Sequence, residues 1–345
     1  MLHHNNQQTG HRELPPTPAV GSAGSGAATS QPALLAEGVS RSWGDLPVLI
    51  DISLQVASGE IYGLVGPDGA GKTTLIRILV SLLLADSGRV LLHGHDTRLE
   101  RQYVRRHVGY MPQRFSLYPD LTVEQNLRFF GDLYAVSREE QLERCNRLYR
   151  FSHLAEFRQR RAGHLSGGMK QKLALSCVLM HAPEVILLDE PTVGVDPVSR
   201  RELWDILHEL RQEGTAILVS TPYMEEAEQC DRVGLINAGK FLAEDTPEQL
   251  VANLQVRILR LRTTDPWATW QRLLEAGLGL QVQLFGEGIH LTLAADENQV
   301  EVEARLRQAG ISFQQLYPVK PGMEDLFLAR LQQVEAVSSE VITDV

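Results

Sequence analysis

The chain has 345 residues, with 33 Lys and Arg against 43 Asp and Glu, for a formal charge of −10. At 43% hydrophobic and 22% charged residues it has the make-up of a globular protein of about two domains, which excludes a fibrous or wholly disordered chain. The acidic balance argues against a nucleic-acid binder that works by neutralising phosphates.

Residues 1–33 are rich in Gly, Ser, Pro, Gln and Asn, including Pro15-Pro16 and Gly21-Ser22-Ala23-Gly24-Ser25-Gly26. Such a stretch has too little apolar surface to offset ordering entropy and is expected to be a disordered tail, with His3 and His4 solvated in it. The N-terminus shows no basic start followed by an apolar stretch, so no secretory signal is read there. Cys145, Cys177 and Cys230 are widely spaced, which suits a reducing compartment and gives neither a disulfide framework nor a zinc knuckle.

From 34 to 250 strand-like and helical segments alternate, the signature of an α/β domain. Glu60–Val65 reads as a strand and leads into Gly66-Pro67-Asp68-Gly69-Ala70-Gly71-Lys72-Thr73. An apolar helix is expected to start near Lys72, with Thr74 in its first turn. Strand, G-x-x-x-x-G-K-[ST] and helix in that order make a P-loop. Its glycines let successive backbone N–H groups face phosphate oxygens, helped by the positive helix end. Lys72 would reach the β- and γ-phosphates and the Thr73 hydroxyl would bind Mg2+.

The next apolar run, Leu75–Ala85, contains Arg77 and is shorter than the roughly 18 residues a membrane span needs. Arg89–Leu92 reads as a strand. Between 120 and 181 the chain is mostly helical; Thr122 and Gln125 form a capping box for a helix ending near Tyr134. Ser166 caps another, with Gly167 and Gly168 leaving its first turn bare. Val185–Leu188 is an apolar, buried strand that delivers Asp189 to Mg2+ and Glu190 to the attacking water. One carboxylate for the metal and one for the proton is what phosphoryl hydrolysis requires. Strands over Ala216–Val219 and Val233–Asn237 complete the domain. His153, His164 and His181 have no metal-ligand spacing.

Residues 255–335 read differently. Val256–Arg262 is strand-like, and Asp265-Pro266 opens a helix with Trp267, Trp270 and Leu274 on one face, ending at Gly277. Gln281–Phe285, a Gly286-Glu287-Gly288 turn and Ile289–Leu293 form a hairpin. A helix over Asp296–Ala309 and a strand over Ile311–Tyr317 follow. The order β-α-β-β-α-β predicts a small ferredoxin-like α+β domain, with 336–345 as a tail.

Leu165-Ser166-Gly167-Gly168-Met169-Lys170-Gln171 lies between the P-loop and Asp189-Glu190. Together these motifs, in this order over 36–245, resemble the ATP-binding cassette (ABC) family. The resemblance implies a P-loop NTPase fold with a RecA-like core and an inserted helical subdomain. It also implies head-to-tail dimers with ATP held between the P-loop of one cassette and the Ser166–Gly168 signature of the other. By the same resemblance Trp43 stacks on adenine, and Gln113 senses Mg2+ and water and links to the transmembrane partner. Asp196, in Gly194-Val195-Asp196-Pro197, marks the loop that crosses the dimer interface.

One position departs from the family. In Val219-Ser220-Thr221-Pro222-Tyr223-Met224-Glu225-Glu226, the family usually places a histidine where this chain has Pro222. Proline offers neither a side-chain donor nor an N–H, so the chain's own catalytic side is expected to be weakened while its signature serves a partner. Details of the P-loop and switch resemble the N-terminal ATPase half of tandem, two-ATPase ABC-2-type multidrug exporters, whose ATPases often end in a segment like Glu324-Asp325-Leu326-Phe327-Leu328. The implied protein is an ATP- and Mg2+-dependent ATPase subunit of a dimer, homo- or heteromeric, docked peripherally on a separate ABC-2-type permease at the cytoplasmic face of the cell membrane. Two other readings stand beside it. One is a regulatory or scaffolding cassette with little hydrolysis of its own. The other is a non-transport ABC protein, which the acidic charge and the lack of long heptad arms disfavour.

Overall fold

A computed structural model describes residues 31–114, 117–254, 256–278, 281–286, 288–293 and 297–331. The expected tails at 1–30 and 336–345, Glu287 of the hairpin turn and Asp296 at the expected helix start lie outside the described residues. Ala33 is already buried against the core, so ordered chain begins ahead of the predicted boundary at 34.

The cassette opens with an antiparallel sheet of β1 (Leu34–Trp43), β2 (Leu46–Val56), β4 (Ser87–Leu92) and the short β5 (His95–Asp96), in the order β2-β1-β4-β5. Between β2 and β4 run β3 (Ile61–Val65) and α1 (Lys72–Leu79). Next come α2 (Arg101–His107), β6 (Val108–Met111), α3 (Val123–Leu133), α4 (Arg138–Phe151) and α5 (Gly167–Val178). The domain closes with β7 (Val185–Asp189), α6 (Pro197–Gln212), β8 (Ala216–Thr221), β9 (Arg232–Asn237), β10 (Lys240–Asp245) and α7 (Pro247–Ala252).

The second sheet has the order β10-β9-β3-β8-β7-β6 and is parallel except for β10. Its strands β3, β7 and β8 are buried at every position because both faces are covered, and in β7 and β8 the apolar residues run to within one or two positions of the carboxyl ends. Ile61 and Val65, Ile186 and Leu188, and Ile217 and Val219 face the core built from α5 and α6. The alternate residues Tyr62, Leu64, Leu187 and Leu218 face the core formed by α1 and the antiparallel sheet. Period-two alternation thus splits one apolar strand set between two cores. The capping box at Thr122 and Gln125 is present in full.

Beyond 256, β11 (Arg257–Arg262), α8 (Pro266–Ala276), β12 (Gln281–Phe285), β13 (Gly288–Leu293), α9 (Gln299–Gln308) and β14 (Gln315–Val319) follow in order. The sheet β12-β13-β11-β14 is antiparallel throughout. Leu259, Leu261, Ile289 and Leu291 on one face share a core with Leu273 of α8 and Val302 and Leu306 of α9. The last strand begins later than expected. Gly310 takes a left-handed conformation (φ 71°) and Ile311 folds back, donating its N–H to Leu306 O at 3.0 Å. Ile311 is therefore the apolar stop of α9 and not the start of a strand. Similarly, Asn298 caps α9, so the helix starts downstream of Asp296.

Residues 323–331 are helical and cross back to the cassette. Met323 and Leu326 pack in the same core as Ala227 and Leu250. Asp325 is tied to His290 on the opposite face of the small sheet, at 3.0 Å. The segment Glu324–Leu328 therefore staples the C-terminal sheet to the cassette.

Candidate functional site: a phosphate cradle

Three parallel strands end side by side. Val65 pairs with Thr221 and Asp189 with Ser220, so Gly66, Glu190 and Pro222, the residues that follow, emerge at one edge of the sheet. Ligands of open α/β sheets bind at this carboxyl edge.

The loop after β3 wraps the start of α1. Gly69 and Gly71 have φ of 78° and 105°, values that glycine adopts at no steric cost. Gly66 is needed for a different reason: a Cβ there would lie 2.1 Å from Ile236 O. Val48, Gly69, Ala70, Gly71, Lys72, Thr73, Thr74 and Glu190 line a cleft of about 250 Å³. Trp43 lies outside this lining; it is half exposed, with the Arg41 guanidinium 4.5 Å above its ring. Pro67 and Asp68 form the outer rim, Asp68 being exposed.

Lys72 is buried and fully engaged. Its Nζ donates to Gly66 O (2.7 Å) and Pro67 O (2.9 Å) and lies 3.1 Å from Glu190 Oε1. Gln113 Nε2 donates to the other Glu190 oxygen at 2.7 Å. Glu190 sits at φ 52°, a left-handed conformation that costs a non-glycine residue about 1–3 kcal/mol. Its N–H bonds to Ser220 O (3.1 Å) and Ser220 Oγ (3.0 Å) hold it there. Lys72, Glu190 and Gln113 therefore form one connected set.

Asp189 is buried beside them. Thr73 Oγ1 and Ser220 Oγ both donate to its Oδ1, at 3.0 and 2.9 Å. Burial raises the carboxyl above the usual carboxylate range, against the lowering effect of these hydroxyls. Its second oxygen, Oδ2, is buried without a hydrogen-bond partner. A hard divalent cation takes oxygen ligands, and an unpaired carboxylate oxygen beside a threonine hydroxyl fits that need. Among the described residues, no group of three or more His, Cys, Asp or Glu side chains is placed to hold a metal ion.

Ser220 matches no catalytic motif in the sequence, yet it fixes both acidic residues. Its only signal is a polar residue near the end of an otherwise apolar strand. The signature residues Ser166–Gly168 do not line this cleft. Ser166 caps α5, accepting from Met169 N at 3.3 Å, and Ser166 and Gly167 are exposed. Gly168 is buried, and a Cβ there would fall 2.2 Å from Ser199 Oγ. Asp196 caps α6 by accepting from Ser199 N at 2.9 Å, so the signature and the Asp196 loop pack together.

The profile of the ABC transporter family matches residues 49–193. The probable multidrug ABC transporter ATP-binding protein YbhF of Escherichia coli (strain K12) is 42% identical over 288 residues, 82% of this chain and 49% of that protein. The chain thus spans about half the length of that relative. The Nod factor export ATP-binding protein I of Rhizobium sp. (strain N33) is 35% identical over 84% of this chain and 94% of its own length. Among solved structures, a dimeric bacterial ABC transporter cassette superposes with a TM-score of 0.57 at 26% identity, covering 62% of this chain and 98% of that one.

Proposed function

The chain belongs to the ABC transporter ATP-binding family, and on that premise we propose that it is the ATP-hydrolysing subunit of an ABC-2-type exporter of drug-like or other small molecules. The observation that supports this best is the joint placement of Lys72, Glu190, Gln113 and Asp189 at one sheet edge around a glycine-lined cleft.

The backbone N–H groups of Gly69–Thr74 and the end of α1 bind the phosphates. Lys72 moves from the loop carbonyls to the β- and γ-phosphate oxygens, which frees Glu190. Glu190 then accepts the proton of the attacking water, and Gln113 keeps that carboxylate oriented. Thr73 and Asp189 would hold Mg2+, which when bound would neutralise phosphate charge. Removing a proton and stabilising charge are nearly all that phosphoryl transfer asks of a protein.

The exposed Ser166-Gly167 turn supports pairing with a second cassette, whose ATP it would contact. The reading includes a permease, with this chain peripheral on its cytoplasmic side; among the described residues no helix is long and apolar enough to cross a membrane. The test is steady-state ATPase activity of the purified chain, alone and with a partner cassette and permease. Glu190→Gln should abolish turnover while fluorescent ATP still binds; unchanged turnover in that variant rejects the assignment.

A second reading, a cassette that binds ATP as a closure switch and barely turns over, is favoured by Pro222. The residue sits beside Gly66 and Glu190, and Gly66 N bonds Thr221 O at 3.3 Å, yet it offers no donor to a γ-phosphate. ATP-dependent association without turnover, in every partner combination, would select it.

A further inference from the structure

Glu226 is a buried carboxylate in the 3-10 stretch Met224–Gln229, at 3% exposure. Its bonds reach three separate segments. Oε2 accepts from Thr221 Oγ1 at 2.6 Å, just ahead of Pro222, and from Thr192 Oγ1 at 3.0 Å, two residues after Glu190. Oε1 lies 3.6 Å from Arg200 Nε. Both of those last atoms are buried and neither has a hydrogen-bond partner. The contact is therefore a Coulomb pair with slack, held in a site where screening by water is weak.

Arg200 gathers the same region from the other side. Its Nη1 donates to Glu225 Oε1 at 3.0 Å, and its guanidinium lies 4.6 Å from the Tyr223 ring centroid. Its own N–H bonds Asp196 O at 2.9 Å in the first turn of α6. One arginine thus holds three residues of the switch segment from the turn that begins with Asp196.

We propose that Arg200 and Glu226 are positioning residues that couple the Gly194–Asp196 loop to the switch segment and, through Thr192, to Glu190. The proposal rests on the ATPase reading and on the assignment of the Gly194–Asp196 loop to the cassette interface. Asp196 lies six positions after Glu190, and the first turn of α6 carries Asp196 and Arg200 together. A displacement of that turn by a partner cassette pulls on Glu226 through Arg200. Glu226 passes it to Thr192 and Thr221, which flank the catalytic carboxylate and the switch position. With Pro222 giving no side-chain bond, this linkage is a side-chain route from the first turn of α6 to the switch, beside the His208–Gln229 contact further along the helix at 3.3 Å.

The experiment compares Glu226→Gln, Arg200→Met, their double variant and Arg200→Lys in the full chain, using MgATP as the probe. Glutamine keeps a carbonyl for the two threonines but turns a neutral amide toward Arg200, so it breaks chiefly the Arg200 arm. Each single variant is expected to lower kcat about tenfold with KM within about twofold, the mark of an interaction expressed in the transition state. The double variant should be no slower than the worse single one, as for residues acting as a unit. Arg200→Lys should fall between wild type and Arg200→Met.

Amide hydrogen exchange supplies a readout that needs no turnover. Arg200→Met should speed exchange at 190–193 as well as at 221–229, although Arg200 makes no hydrogen bond or ion pair to 190–193. Exchange confined to 221–229, or kinetic effects that multiply in the double variant, would overturn the proposal. If wild type turns over no faster than Glu190→Gln, the ATPase reading fails and the exchange result alone decides the coupling.

Discussion

Lys72 Nζ and Glu190 Oε1 lie 3.1 Å apart, and both side chains are almost wholly buried. Two groups that would act on opposite ends of the reaction, one on phosphate charge and one on water, neutralise each other in this structure. The pair tolerates burial because Lys72 also donates to two carbonyls and Glu190 also accepts from Gln113. Buried ions need this degree of satisfaction.

Removing the cation alone should therefore be far worse than removing both charges. Lys72→Met leaves the Glu190 carboxylate buried without its cation, a loss of about 3–5 kcal/mol for a broken buried pair. Glu190→Gln keeps an acceptor for Lys72 and should cost much less. The double variant Lys72→Met/Glu190→Gln should recover most of the loss while remaining inactive. Urea unfolding of the three proteins checks this; equal destabilisation by Lys72→Met and the double variant would show that the pair is not what Lys72 stabilises.

Pro222→His tests the departure from the family at the switch. The position lies beside Gly66 and Glu190, so a histidine there is within the cradle's neighbourhood. A charge-assisted hydrogen bond typically contributes about 1.5–3 kcal/mol, or about 10- to 100-fold in rate if it is made in the transition state. Turnover of the Pro222→His variant should rise by that order, with ATP affinity little changed. A rate at or below wild type would mean that Pro222 is not the limiting feature.

The cradle was the most legible part of the chain because its chemistry is local. The loop 66–73, the acidic pair 189–190 and the caps at Thr122 and Ser166 depend on residues close in sequence. Ser220, Arg200 and Glu226 are not legible as partners, since the bonds that join them to other segments span 25 to 34 residues (Arg200 to Glu225, Thr192 to Glu226) and arise only once the chain has folded. Gly168 was read as a bare approach for a ligand, whereas its missing side chain also makes room for Ser199. In the C-terminal region the order of elements could be read, but Ile311, expected to open the last strand, instead stops α9. Only the backbone bond to Leu306 decides between helix stop and strand start.

Asp189 should make cation binding pH-dependent. Burial raises its carboxyl above the ordinary range, so the folded state holds a proton more tightly than the unfolded chain does. The charged form then costs stability above the raised value, and that cost is relieved as pH falls through it. A divalent cation removes the same cost by neutralising the carboxylate, in competition with the proton. The gain in Tm from MgCl2 with ATP should thus be larger at about pH 7.5 than at about pH 5, where protonation competes. Asp189→Asn should flatten the difference. An equal gain at both values in wild type would remove Asp189 from the cation site.

The two signature glycines should separate structural from functional roles. A Cβ on Gly168 would fall 2.2 Å from Ser199 Oγ and 2.3 Å from Ser199 Cβ, at the start of α6, while one on Gly167 meets nothing closer than Gly194 O at 3.6 Å. Gly168→Ala should destabilise the fold by about 1–3 kcal/mol, the usual range for overpacking. Replacing Ser199 by Gly in the same chain should restore much of the loss, although Ser199→Gly alone weakens the helix start. Gly167→Ala should leave the fold within about 0.5 kcal/mol of wild type, as for an unstrained surface change. If cassettes pair as proposed, its methyl would stand in the way of the phosphates of the facing cassette. Turnover that depends on a partner cassette should then fall, while ATP binding to the chain's own P-loop persists. Thermal unfolding, ATP titration and partner-stimulated turnover measured together check the pair. A Gly167→Ala protein with wild-type stimulated turnover would show that the exposed Ser166-Gly167 turn contacts no nucleotide of a partner.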